Sequence, residues 1–146
     1  MEKLISEGKT KVVLVDHHVL PKKYEYLAPY VTEIIDHRPL DRSQWTYSED
    51  IRSTMEVVGS CSTLVAQRIR DLSALIAKEV DFFTDHPACT HLLHSVILLD
   101  TVNFSKDVNK ATKHDEEIVA FLENLLQIDE CETERIFSKN PTPWRP

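Results

Sequence analysis

The 146-residue sequence predicts an α/β domain whose mostly parallel sheet is flanked by helices. Two short apolar runs rich in β-branched residues, 12–15 and 31–35, are predicted to be strands buried on both faces, as in parallel sheets. Segments with helical spacing follow farther along the chain. Each apolar run stops at an Asp-His pair, which begins at Asp16 in the first run and at Asp36 in the second.

Periodicity and turn residues predict the remaining elements. The apolar pattern of a helix at 88–98 extends nearly all round, which predicts that this helix is buried. The segment Thr112–Asp115 resembles a capping box with Asp in the place of Glu. We predict a third strand at 55–58, an edge strand around 45–47, long helices at 61–78, 88–98 and 115–127, and short helices at 1–7 and 133–138.

Composition limits the classes of partner. The chain has 24 acidic and 17 basic side chains, a formal net charge of −7, which argues against general binding of nucleic acid or anionic membranes. An acidic protein can still bind phosphate groups where metal ions supply positive charge locally. The composition therefore disfavours a polyanionic partner and leaves a small phosphate-containing ligand open.

Cysteine, glycine and apolar patterns exclude several kinds of site. Cys61, Cys89 and Cys131 are widely spaced, so neither a disulfide framework nor a structural zinc site is indicated. Gly8 and Gly59 are too few for a phosphate-binding loop. The sequence shows neither a secretory signal pattern nor an apolar run that reaches the ~18 residues of a membrane span. We expect a cytoplasmic protein, with the nucleus left open.

The Asp-His pairs predict a metal site. The carboxyl ends of neighbouring parallel strands meet at one edge of the sheet, where open α/β sheets bind ligands. Carboxylate with imidazole suits Mn²⁺, Zn²⁺ or Fe, and carboxylate alone suits Mg²⁺. Asp100 follows the apolar run 96–99, so its carboxylate is expected to be paired, to bind a ligand or to lie at the edge of the core.

Four ordered segments carry a resemblance to a known superfamily. They resemble the DHH phosphoesterases and, within them, the prune-type short-chain exopolyphosphatases, which are relatives of the family II inorganic pyrophosphatases. The resemblance covers about 12–121, and Asp-His-Arg in place of Asp-His-His points to the prune type. The segments are Val-Asp-His-His at 15–18, Ile-Asp-His-Arg-Pro at 35–39, Glu-Val-Val-Gly-Ser-Cys-Ser-Thr-Leu-Val at 56–65, and Leu-Leu-Asp-Thr-Val-Asn at 98–103.

The resemblance implies a role for each matched residue. Asp16 would bridge two divalent ions, and His37 would be a ligand of one of them. Asp36 would orient His37, as carboxylates behind metal ligands do. Arg38, in the place of the second histidine, would contact substrate phosphate. Asp100 would be the last ligand of the metal that His37 binds.

Other side chains are weaker candidates for contact with substrate phosphate. His17 and His18 lie beside the bridging Asp16, and His94 lies near the Asp100 end of the predicted helix 88–98; a core or surface histidine is the alternative for each. Ser60 lies at a predicted helix N-terminus, which favours anions, but it can equally be a cap. Lys110 either attracts substrate or is simply solvated.

Two parts of the resembled proteins have no counterpart in the sequence. Their first motif, an Asp-x-Asp on the first strand, does not occur in these 146 residues, and neither does the C-terminal DHHA2-type domain. The chain therefore resembles an N-terminally truncated DHH domain. We predict that 1–139 form this partial catalytic domain and that 140–146 form a tail or linker.

The resemblance implies a metal-dependent hydrolase of phosphoanhydride bonds, acting on short-chain polyphosphate or pyrophosphate with Mn²⁺ or Mg²⁺. A complete site of the family holds two ions, and we expect this chain to hold at most one well and to hydrolyse weakly or not at all. The alternative is a non-catalytic interaction or regulatory fragment with a protein partner or self-association. A cyclic nucleotide phosphodiesterase is less favoured, and a nuclease is disfavoured by the acidic composition.

Overall fold

The computed structural model describes residues 10–40, 43, 45–48, 50–76 and 82–127. Its sheet has three parallel strands in the order β1-β2-β3. This confirms the predicted α/β class with a parallel sheet. The strands are β1 at Val12–Val15, β2 at Val31–Asp36 and β3 at Arg52–Met55.

The helices lie between and after the strands in the chain. A 3-10 helix connects β1 to β2, and the α-helices come after β3. None of the described helices combines the length and apolarity that a membrane crossing needs. The 3-10 helix is Lys22–Tyr30, and the α-helices are α1 at Cys61–Ile76, α2 at Phe82–Asp85, α3 at Pro87–Asp100 and α4 at Lys113–Leu126.

The sheet separates two apolar layers. Ile34 of β2 is fully buried on the face that packs with Leu14 of β1 and Tyr47 of the loop before β3. Ile35 lies on the opposite face and packs against the first turns of α1. The prediction of burial on both faces is therefore confirmed for β2. It is wrong for β1, where Val13 is 50% exposed, because β1 is an edge strand of the described sheet.

The strand predictions around β3 need correction. The third strand begins at Arg52 rather than at 55, and Val57 is 66% exposed because 56–60 form the turn into α1. The strand predicted at 45–47 does not form. Trp45 and Tyr47 instead pack edge to face, with ring centroids 5.3 Å apart, against the core beneath the sheet.

A third apolar cluster lies between α1, α3 and α4, and its largest buried members include Phe83, Ile97 and Leu122. The apolar α3 is not buried all round, since Leu92 and Leu99 are 64% and 65% exposed. The predicted capping box at the start of α4 is confirmed. The predicted helices at 1–7 and 133–138, the domain boundary at 139 and the tail lie outside the described residues.

Candidate metal centre

The candidate centre lies at the carboxyl ends of β1 and β2. Asp16 directly follows β1 and Asp36 ends β2, so the parallel strands bring both carboxylates to one edge of the sheet. The Asp16 N–H donates to the Ile35 carbonyl at 2.9 Å, which continues the ladder past the strand end. Asp16 has a φ of 63°, in the left-handed region that Asp tolerates better than β-branched residues do.

Three of the expected residues converge there. One ligand atom from each of Asp16, Asp36 and His37 lies within 4.8 Å of the others, and His37 Nε2 is 3.2 Å from Asp16 Oδ1. Two ligands of one octahedral ion, each about 2.1 Å from it, lie about 3 Å apart. The separation and the mixture of carboxylate with imidazole therefore fit a divalent cation of the Mn²⁺ class.

The orientation of His37 is set by the turn after β3. Its Nδ1 lies 2.9 Å from the Val58 carbonyl, which only accepts, so Nδ1 carries the hydrogen. Without a hydrogen on Nε2, its lone pair would face the Asp16 carboxylate, and a cation shared by both atoms would stabilise that arrangement. With a hydrogen on Nε2, the ring would donate to Asp16 instead.

Asp36 is fully buried and both of its carboxylate oxygens accept hydrogen bonds. His18 Nδ1 donates to Oδ2 at 2.6 Å, and Arg38 donates to Oδ1 from its backbone N–H at 3.2 Å and from Nε at 3.3 Å. Burial raises the pKa of Asp36, but the bonds from His18 and Arg38 outweigh it and lower the pKa below its ordinary value of 3.8. Asp36 is therefore held ionised in one orientation.

Arg38 connects the two carboxylates and remains half open to solvent. Its Nη2 lies 3.8 Å from Asp16 Oδ1, and its side chain is 54% exposed. The side chain of Asp16 is 61% exposed. The centre thus presents a carboxylate and a guanidinium to solvent, with buried groups behind them.

Asp100 lies outside this three-residue cluster. It ends α3 with an exposed side chain, and its Oδ2 accepts a 2.6 Å hydrogen bond from the hydroxyl of the fully buried Ser60. Ser60 is two residues from Val58, whose carbonyl holds His37. One turn therefore contacts both Asp100 and His37.

The weaker candidates have separate partners. His18 is bonded to Asp36, and His17 Nδ1 lies 2.9 Å from the Val15 carbonyl. His94 is buried and its Nε2 lies 3.1 Å from Glu123 Oε1 of α4. Lys110 is exposed in the loop before α4. Of the five weaker candidates, only His18 is bonded to a member of the cluster in the contacts of the described residues.

Sequence reasoning missed two contributors. No signal in the sequence marks the Val58 carbonyl as the acceptor for His37. Asp115 was found only as a cap of α4, yet it also accepts hydrogen bonds from the backbone N–H groups of Gly59 and Ser60. The capping pattern identifies the residue, but the partners more than fifty positions away become visible only in the fold.

Comparison with known proteins gives relatives of one kind. Exopolyphosphatase PRUNE1 of Rattus norvegicus is 40% identical over 119 residues, which are 82% of this chain and 24% of that protein. Exopolyphosphatase PRUNE1 of Homo sapiens is 35% identical over 123 residues, 84% of this chain and 25% of that protein. The chain thus spans only about a quarter of the length of these curated relatives. No protein-family model matches the chain.

A solved structure supports the same relationship. It is a Methanococcus jannaschii protein assigned to the family II inorganic pyrophosphatases, with a TM-score of 0.60 and 25% identity over 86% of this chain and 39% of that one. Because the match covers most of this chain but less than half of that one, the fold corresponds to part of such a domain. The chain is therefore related to the prune-type proteins of the DHH phosphoesterase superfamily.

Proposed function

We propose that this chain carries the metal-binding part of a hydrolase site for phosphoanhydride bonds, with short-chain polyphosphate or pyrophosphate as substrate. The observation that supports it best is the convergence of Asp16, Asp36 and His37 at the ends of adjacent parallel strands. The names of the relatives, an exopolyphosphatase and an inorganic pyrophosphatase, supply the substrate class.

Asp16 and His37 would hold a divalent ion, Mn²⁺ or Mg²⁺, with Asp100 as a further proposed ligand. When bound, such an ion polarises a phosphoryl oxygen and offsets negative charge. Asp36 keeps Arg38 and His18 in place through its two saturated oxygens. The mixed oxygen and nitrogen donors favour Mn²⁺ over Mg²⁺.

Arg38 is the proposed contact for substrate phosphate. Its Nε is occupied by Asp36, but its side chain is half exposed beside the open carboxylate of Asp16. A guanidinium stays charged and presents a planar fork that matches phosphate oxygens. Arg38 would therefore hold a phosphate next to the ion that Asp16 binds.

We propose that the 146-residue chain by itself binds one ion and hydrolyses little. Two-ion hydrolysis holds the attacking and the leaving oxygen at once, and no Asp-x-Asp in this sequence supplies the second ion's other carboxylates. The same observation favours the second candidate, a non-catalytic fragment that keeps the fold and the metal centre.

Calorimetric titration with Mn²⁺, together with phosphate release from triphosphate, tests the proposal. We expect the parent chain to bind Mn²⁺ and Asp16→Asn to bind it at least roughly tenfold more weakly, because even residues that only orient metal ligands contribute 10–100-fold. Asp107→Asn is the matched control, since it removes the same charge from an exposed turn.

The outcomes separate the candidates. Absence of Mn²⁺ binding in the parent chain overturns the metal centre. Binding without phosphate release supports the non-catalytic fragment. Rapid phosphate release that Asp16→Asn abolishes and Asp107→Asn retains establishes the hydrolase and overturns the low activity expected of this chain.

A further inference from the structure

The turn between β3 and α1, residues 58–60, holds two of the proposed metal ligands. The Val58 carbonyl accepts from His37 Nδ1 at 2.9 Å, and the Ser60 hydroxyl donates to Asp100 Oδ2 at 2.6 Å. All three residues of the turn are buried. A shift of this turn would therefore change the orientations of His37 and Asp100 together.

Asp115, at the start of α4, holds the turn from behind. Its Oδ2 accepts from the Gly59 N–H at 2.8 Å, and its Oδ1 accepts from the Ser60 N–H at 3.3 Å and from the Thr63 hydroxyl at 2.6 Å. Oδ2 also accepts from the backbone N–H and the hydroxyl of Thr112, each at 2.7 Å. One buried carboxylate thus joins the turn, the first turn of α1 and the start of α4.

Gly59 allows this close approach. A Cβ at this position would lie 2.6 Å from Thr101 Cγ2 and 3.0 Å from Asp115 Oδ2. Thr101 directly follows Asp100, so the turn packs against the end of α3 as well as against Asp115. The contact leaves no room for a larger residue and fixes the position of the turn relative to Asp100.

We propose that Asp115 is a positioning residue for the metal centre, acting through the turn 58–60 on His37 and Asp100. The proposal rests on the function proposed above, since it takes these two residues as metal ligands. Asp115 itself touches neither of them in the contacts found among the described residues. Its effect is transmitted by the Val58 carbonyl and the Ser60 hydroxyl.

The negative charge of Asp115 is part of this role. Donors surround both oxygens, and a carboxylate accepts at both whereas an amide accepts at only one. Burial raises the pKa of Asp115, but bonds from Thr63, Gly59 and Thr112 outweigh it and hold the pKa below 3.8. In Asp115→Asn an amide NH₂ must face either the Gly59 side or the Ser60 side, and the N–H of the turn there loses its acceptor.

The test combines Asp115→Asn, Ser60→Ala and the double variant. We expect each single variant to weaken Mn²⁺ binding roughly tenfold, the scale seen when a residue that orients a metal ligand is removed. We expect the double variant to be weaker by less than the product of the two, because part of the effect of Asp115 acts through the same contact of Ser60 with Asp100. Titration calorimetry measures all of these affinities.

A second readout needs no metal. At fixed pH, the imidazole ¹⁵N shifts of His37 report how much of the ring carries its hydrogen on Nδ1, the form that the Val58 carbonyl selects. We expect Asp115→Asn to reduce this form in the chain prepared without metal. Thr90→Val is the control: it removes a buried hydroxyl that donates to the Phe83 carbonyl at 2.8 Å, outside the turn, and we expect it to leave the shifts and the Mn²⁺ affinity unchanged.

Each result decides the proposal. An Asp115→Asn chain with parental Mn²⁺ affinity and parental His37 shifts overturns it, as does an equal loss of affinity in Thr90→Val. If Asp115→Asn does not fold, Thr63→Val, which removes one partner of Asp115, must shift His37 in the same direction for the proposal to stand. A parent chain that binds no Mn²⁺ refutes the proposed function, and the His37 shifts then decide whether Asp115 orients that ring.

Discussion

Two carboxylates of this protein, Asp16 and Asp115, show how the surroundings of the same side chain determine its use. Asp115 is fully buried, and both of its oxygens accept hydrogen bonds from Gly59, Ser60, Thr63 and Thr112. The side chain of Asp16 is 61% exposed and has only His37 and Arg38 nearby among its described ion pairs.

The difference in burial and bonding makes Asp115 a structural carboxylate and leaves Asp16 available to bind a ligand. The oxygens of Asp115 accept from three backbone N–H groups and two threonine hydroxyls, so they hold the turn and the two helix starts together. Asp16 keeps lone pairs that face solvent beside an imidazole nitrogen 3.2 Å away. A cation can be bound by Asp16 without first breaking a buried network, and this makes Asp16 the better candidate for a ligand.

The largest expected effect on stability comes from removing the buried carboxylate. Asp115→Ala should lower the free energy of unfolding by about 4 kcal/mol, because it leaves several buried donors without an acceptor. Asp16→Asn should change it by no more than about 0.5 kcal/mol, since the side chain is largely exposed and Asn also tolerates the left-handed backbone there. Urea unfolding of both variants measures the contrast, and equal losses would show that the distinction between the two carboxylates is wrong.

Gly59→Ala tests how tightly the turn is held next to Asp115. The added methyl would lie 2.6 Å from Thr101 Cγ2 and 3.0 Å from Asp115 Oδ2, so the packing must shift. We expect a loss of about 1–3 kcal/mol in the free energy of unfolding, as for other overpacked cores. A thermal or urea midpoint equal to that of the parent would mean that the turn can shift at little cost. That result would contradict the interpretation of the turn as a rigid support for His37 and Asp100.

Acid should destabilise the protein through its buried carboxylates. The pKa of Asp115 is lowered in the folded state, so its contribution to stability is complete above the ordinary value of 3.8 and is lost as the pH falls through the lower folded value. Urea unfolding between about pH 5 and pH 2 should therefore show stability falling with pH, with a shallower fall in Asp115→Asn. Thr90→Val adds or removes no titrating group and should keep the parental slope.

The smallest expected effect concerns the cap alone. Thr112→Ala removes the hydroxyl that accepts from the Asp115 N–H and donates to its Oδ2, but leaves the bonds from Asp115 to the turn. We expect a loss of about 1 kcal/mol, typical of an N-cap. Circular dichroism during urea unfolding measures this loss. A loss as large as that of Asp115→Ala would mean that Asp115 stabilises the protein through the cap of α4 alone.

The sequence alone determined the fold class and predicted the three residues that the structure brings together in the candidate centre. Apolar runs that stop at Asp16 and Asp36 predict parallel strands with a shared end, because a parallel sheet aligns its carboxyl edges whatever the details of packing. The spacing Thr112–Asp115 likewise predicts a cap, because that contact is local.

Only the tertiary structure decided the rest, because those contacts join residues far apart in the chain. Val13 is exposed because β1 lies at the edge of the described sheet, a fact of strand order that the apolar pattern does not contain. The bonds from His37 to Val58 and from Ser60 to Asp100 depend on how the turn packs against α3. Asp115 reaches that turn across more than fifty residues, so a motif that identifies the cap of α4 cannot reveal what else the carboxylate holds.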